Sequence, residues 1–219
     1  MRQLAITFLL IIFSLSFGQI PSVAYIKGNV EYLIPTDYEK LSEQELADKA
    51  NKYFFLAEKY EDGIVNEDIT NALFLYSVLQ HKNPENIIYA VRQGILYDKI
   101  GVDRYAKGCF SKAISINKTI PEPYYYFGEY YYKREEYRKA LKYYNEAYNK
   151  GFVTNYNLLY KMGDIYEKFG DTKSALRYLR LASTISVNSE LDDKLQRVEN
   201  ADKINHEYYS NTRIHPVVD

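Results

Sequence analysis

The sequence predicts an all-α protein: a right-handed helical-hairpin solenoid of about four repeats, closed by a C-terminal capping helix. The first observation is an internal register. Gly94, Gly128 and Gly163 are each followed three residues later by a tyrosine (Tyr97, Tyr131, Tyr166) and twelve residues later by an alanine (Ala106, Ala140, Ala175). The register runs on through Phe110, Tyr144 and Leu179 to Ala113, Ala147 and Ala182, at intervals of 34 and then 35 residues, and such a period fixes a repeat architecture before local propensity is consulted. The second observation is that helix signals begin at Ser42 and continue almost without a break. The third is an amphipathic segment after the last repeat, where Leu191, Leu195, Val198 and Ala201 recur at helical spacing among charged residues.

Taken in order, the chain opens with Met1 and Arg2 and an apolar run from Leu4 to Phe17, closed by Ser16, Phe17, Gly18 and Gln19. This reads as a secretory signal peptide over residues 1–18, cut between Gly18 and Gln19. The run is too short to span a bilayer, because its length of about 21 Å falls below a hydrocarbon core of about 30 Å. The expectation is an exported protein, periplasmic or secreted, with no stable membrane span after cleavage. The residue directly after the cut is Gln19, not the cysteine that a lipid anchor would use. Residues 19–40 form a leader in which Pro21, Gly28 and Pro35 interrupt short apolar stretches, and an extended conformation suits it.

The helical array is expected over residues 41–188. Ser42 and Glu45 make a capping-box spacing before Leu46, Ala50, Tyr53 and Ala57. One period before Ala106 stands Ala72, followed by Tyr76, Leu79 and Pro84, so a degenerate unit precedes the three clear ones. On that count Tyr60 replaces the packing glycine and Gly63 the tyrosine, as suits a terminal unit with one neighbour. The extra residue of the longer interval falls between Ala147 and Gly163, where Gly151 is a helix terminator. A capping helix over 189–209 covers the apolar end of the array, and 210–219 reads as a frayed tail.

Composition narrows the function. A net charge of −1 with no basic tail gives no electrostatic footprint for nucleic acid, and 47% apolar residues place the bulk of the chain among folded proteins. Cys109 is the only cysteine, so no intramolecular disulfide forms, and beside Phe110 it reads as a small buried apolar residue. His81, His206 and His215 are scattered, which points to no metal site and no cofactor. Asn117, Lys118 and Thr119 form a glycosylation sequon of the kind that occurs by accident.

The spacing of glycine, tyrosine, alanine, aromatic and alanine resembles the tetratricopeptide repeat, a 34-residue helix-turn-helix unit, over roughly residues 53–188. The family's opening tryptophan is Ala90, Tyr124 and Leu159 here, and its closing proline survives only as Pro84. Small residues facing large ones let two antiparallel helices approach closely, so Ala140→Leu is expected to overpack the pair.

The resemblance implies a non-enzymatic, protein-binding scaffold in which the first helix of each unit lines a concave groove. Counting from the glycines, its stripe is Ile88, Val91, Ile95 and Asp98, then Glu122, Tyr125, Glu129, Tyr132 and Lys133, then Asn157, Tyr160, Asp164, Glu167 and Lys168. The last ten are the candidate partner-binding residues. The family's basic clamp on a terminal carboxylate would need Lys or Arg at Val91, Tyr125 or Tyr160, and none is present. The expected partner is a polypeptide segment, basic or aromatic-containing, docked against Tyr125, Tyr132 and Tyr160 and steered by the carboxylates. With 25 tyrosines in the chain, most are structural. Two rival readings stand beside this one: an enzyme acting on a glycan or other polymer through a Glu129 and Asp164 acid–base pair, and a structural protein that self-associates.

Overall fold

The computed structural model describes residues 23–26, 29–32, 38 and 40–211, and among them are nine α-helices and two short strands. The signal peptide and most of the tail lie outside the described residues. In the leader, β1 (Val23–Ile26) and β2 (Asn29–Tyr32) pair antiparallel, Val23 opposite Tyr32 and Ile26 opposite Asn29. Valine, isoleucine and tyrosine favour that extended backbone. The helical part divides into two compact units between Ile116 and Asn117.

The N-terminal unit holds α1 (Glu43–Ala57), α2 (Glu67–Lys82), α3 (Ile87–Lys99) and α4 (Asp103–Ile116). α1 packs on α2 and α3 on α4, with α2 also against α3. The capping box at Ser42 and Glu45 forms as expected, and Leu46, Ala50, Phe54 and Ala57 put one buried stripe on α1. Tyr60 and Gly63 stand elsewhere than the repeat count put them. They lie in the connection between α1 and α2, because the buried stripe of α1 ends at Ala57 and Gly63 has a φ of +88°, incompatible with a helix interior. That connection is pinned to the end of α3: the Gly63 amide donates to the Lys99 carbonyl at 2.6 Å, and Lys99 pairs with Asp62 at 3.0 Å.

The C-terminal unit holds α5 (Glu122–Lys133), α6 (Tyr137–Asn149), α7 (Tyr156–Lys168), α8 (Thr172–Ser183) and α9 (Ser189–Asn211). α5 pairs with α6 and α7 with α8, and α9 lies against α8. A Cβ placed on Gly128 would come within 2.4 Å of the Tyr144 ring, and one on Gly163 within 2.6 Å of Leu179. The small-against-large code read from the sequence is therefore the packing of the hairpins, with Ala140, Ala147, Ala175 and Ala182 all buried. Gly151 ends α6 at a φ of +104°, as its position in the insertion implied. α9 runs two residues past the expected limit of the capping helix, its first turn capped by Asn188, whose Oδ1 accepts from the Leu191 amide.

Candidate functional site

Within the C-terminal unit, the first helices α5 and α7 place all ten candidate residues. Pro123 sits in the first turn of α5, where its missing N–H costs nothing, and Asn155 caps α7 by accepting from the Leu158 amide at 2.8 Å. Glu122, Lys133, Asn157 and Lys168 are exposed at the surface. Tyr125 is buried: its ring packs on Phe152, Tyr126 and Tyr144, and it contributes to the core of the first hairpin.

The remaining five are joined to one another and to α9. Glu129 accepts from the Tyr144 hydroxyl at 2.6 Å and pairs with Lys161 of α7. Tyr132 donates its hydroxyl to Asp164 Oδ2 at 2.7 Å. Asp164, itself buried, pairs with Lys194 of α9 and more distantly with Lys168 at 3.7 Å. Glu167 takes Lys194 at 3.0 Å and Arg197 at 2.8 Å. Tyr160 donates to Glu190 of α9 at 2.6 Å. The bonds from α5 to α7 span 32 residues, and those joining Tyr160 to Glu190, Asp164 to Lys194 and Glu167 to Arg197 span 30. By this lateral bonding α9 stands towards α7 as α7 stands towards α5, the position of the first helix of a further unit.

The electrostatics follow from these contacts. Burial pushes the Asp164 carboxyl up, but the hydrogen bonds from Lys194 and Tyr132 and the charges of Lys194 and Lys168 outweigh it and hold it below its usual range. Glu167 is likewise lowered, with burial overcome by Arg197 and Lys194. Burial and then Asp164 raise the Tyr132 hydroxyl well above its ordinary value, and burial and Glu190 do the same for Tyr160. An acid poised to protonate a substrate near neutral pH needs a raised pKa, and Asp164 is moved the other way. Cys109, in α4, has its thiol pushed up to about 11 by burial, so it is a poor nucleophile.

Lys161, Glu190, Lys194 and Arg197 are the bonding partners of the candidate residues that the sequence reading left out. Lys194 and Arg197 read there only as the polar side of a capping helix. The signal was present in the interval: Asp164 to Lys194 and Glu167 to Arg197 are complementary charges at the same separation.

No family model matches the chain. A TPR repeat-containing protein of Methanocaldococcus jannaschii is 33% identical to it over 118 residues, 54% of this chain, and the match spans 19% of that relative's own length. Among solved structures, YrrB, described as a TPR protein with an unusual peptide-binding site, superposes with a TM-score of 0.55 at 23% identity, over 62% of this chain and 70% of its own. PilW, a widely conserved type IV pilus biogenesis factor, gives a TM-score of 0.54 at 18% identity over 76% and 79%. The packing glycines, the paired hairpins and these likenesses agree on the fold: the helical hairpins of this chain are built as those of tetratricopeptide-repeat structures are.

Proposed function

We propose that the chain is an exported, non-enzymatic scaffold that docks a polypeptide segment on the first-helix face of its C-terminal unit. The observation that carries this reading is the pair of half-buried rings of Tyr132 and Tyr160 on consecutive first helices of the unit. Each is held rigid by a short hydroxyl bond, to Asp164 and to Glu190. A ring already fixed offers contact area at little further entropic cost. Lys161 lies 5.0 Å from the Tyr132 ring centre and Lys194 5.2 Å from that of Tyr160, so the platform is aromatic and rimmed by cations.

With Glu129, Asp164 and Glu167 neutralised by cations of this chain, Glu122 is the carboxylate left to steer a basic side chain. Recognition then rests on the rings, and the aromatic-containing segment is the partner they favour. YrrB is described by its peptide-binding site, which accords with peptide binding on this fold.

The test places a photo-crosslinking residue at Asn157 or Lys133, both exposed beside the rings, in the native host. A protein adduct at either position, lost in a Tyr132→Ala, Tyr160→Ala background that keeps its helical circular dichroism, supports the reading. Adducts that persist in that background, or none at either position, would sink it.

A further inference from the structure

The second helices of the C-terminal unit carry a set of cations that its own carboxylates do not neutralise. Arg138 and Lys142 stand one turn apart on α6, and Lys173 and Arg177 repeat that spacing on α8, one 35-residue interval later. All four are exposed. None has an ion pair among the described residues. Of the nearby acids, Glu136 is engaged with Lys139, Glu146 with Lys150 and Glu199 of α9 with Arg180, which leaves Glu135, exposed in the turn before α6, as one acid against four cations. Asp171 caps α8 by accepting from the Ser174 amide, and Lys173 acts on it only through its field. The Tyr148 ring meets Tyr178 edge-on at 5.7 Å, so α6 and α8 are neighbours, and helical spacing sets each charged pair opposite its helix's buried residues, Ala140 and Tyr144 on α6 and Ala175 and Leu179 on α8.

Helix physics does not ask for these residues. Neither α6 nor α8 has an acid in its first turn, and Arg138 and Lys173 occupy those turns. A cation there opposes the helix dipole. Aromatic rings lie among the charges: Tyr143 stacks on Tyr131 at 5.5 Å beside Lys142, and Arg177 sits 5.5 Å from the Tyr178 ring centre.

We infer that this second-helix face docks an acidic polypeptide segment, whose carboxylates pair with Arg138, Lys142, Lys173 and Arg177 while its stem packs on Tyr143. Charge complementarity selects the partner, since the unneutralised charge on this face is positive. A bilayer is the poorer occupant, because the unit's exposed large apolar side chains, such as Val153, Phe169 and Val187, lie off α6 and α8. Nucleic acid is disfavoured by a net charge of −1. The surface is distinct from the first-helix face, so either reading can fail without the other.

The experiment measures fluorescence anisotropy of a labelled poly-glutamate peptide with the full mature chain. Three proteins are compared: wild type, the reversal Arg138→Glu, Lys142→Glu, Lys173→Glu, Arg177→Glu, and an equal reversal elsewhere, Lys49→Glu, Lys52→Glu, Lys59→Glu, Lys112→Glu. The expected result is binding by wild type that weakens with salt, a loss of about tenfold or more in the first variant, and a change of under about threefold in the second. Equal losses in both variants, no loss in the first, or no binding by wild type would each overturn the proposal. Tighter binding of phosphatidylserine vesicles or single-stranded DNA than of poly-glutamate, lost in the same variant, overturns it in favour of that ligand. If the first reversal disturbs folding, the neutral set of Gln substitutions at the same four positions is read instead, with the same loss expected and an unchanged affinity overturning the proposal.

Discussion

The glycines of this chain do three kinds of work, and substitution separates them. Alanine at Gly128 would drive a Cβ to within 2.4 Å of a Tyr144 ring whose hydroxyl is fixed on Glu129, so little can move aside. Gly128→Ala is expected to cost about 1–3 kcal/mol, as overpacking does. Gly108, in the middle of α4, has nothing within 4 Å of the same added atom, so Gly108→Ala should stabilise by about 0.5–1 kcal/mol. Paired thermal melts check both signs. The position seven residues after each packing glycine takes a left-handed backbone: Gly101 at φ +74°, Gly170 at +75°, and Glu135 at +58°. Glutamate there is strained where its two counterparts are not, so Glu135→Gly should raise the melting temperature, the relief of roughly 1 kcal/mol being partly offset by a looser unfolded chain. The Ala140→Leu expectation stands on the same geometry, since Ala140 is fully buried between the helices that Gly128 lets approach.

At the scale of elements, α9 is a half-unit bound by charge. Leu191 and Val198 give it apolar anchorage, while Lys194, with its side chain only 8% exposed, is spent on Asp164 and Glu167. Removing one partner of a buried pair costs about 3–5 kcal/mol. Lys194→Ala should fall at the lower end, because Lys168 and Tyr132 remain beside Asp164. The same pairing sets a pH dependence. Asp164 and Glu167 have folded pKa values below their unfolded ones, so their contribution is complete above the ordinary carboxylate range near pH 4 and is lost as pH falls through the lowered values. Denaturant midpoints measured from neutral pH downward should therefore decline less steeply for Asp164→Asn than for wild type. An equal slope would show that the pair makes no contribution to docking α9. Of this element, the sequence made the helix legible through Leu191, Leu195, Val198 and Ala201. Its partners were legible only as opposite charges recurring at one separation, because which acid a lysine reaches depends on how neighbouring helices lie side by side.

For the whole molecule, the consequences of export are the first to measure. If residues 1–18 are a cleaved signal, the mature protein begins at Gln19, and intact-mass and N-terminal sequencing of protein recovered outside the cytosol would read that start. A chain that keeps Met1 would remove the exported part of the proposal. The two compact units also carry different surfaces. In the N-terminal unit three of the four stripe residues, Ile88, Val91 and Ile95, are apolar, with Val91 buried and Ile88 59% exposed, whereas in the C-terminal unit charged and aromatic residues predominate and Glu129, Tyr132, Tyr160, Asp164 and Glu167 are held by hydrogen bonds and ion pairs.

The sequence by itself determined the repeat period, the helical hairpins and the residues that pack them, because steric matching of a small residue against a large one is local to a hairpin and recurs with it. It also marked the face of the first helices. Only the tertiary structure decided what that face offers. Tyr125 turned inward onto Phe152 because the chain after α6 returns over it, and the carboxylates read as steering charges are matched by Lys161, Lys194 and Arg197 from the next helices along. Charge neutralisation is a property of side chains brought together from distant positions, and a residue list in chain order does not contain it.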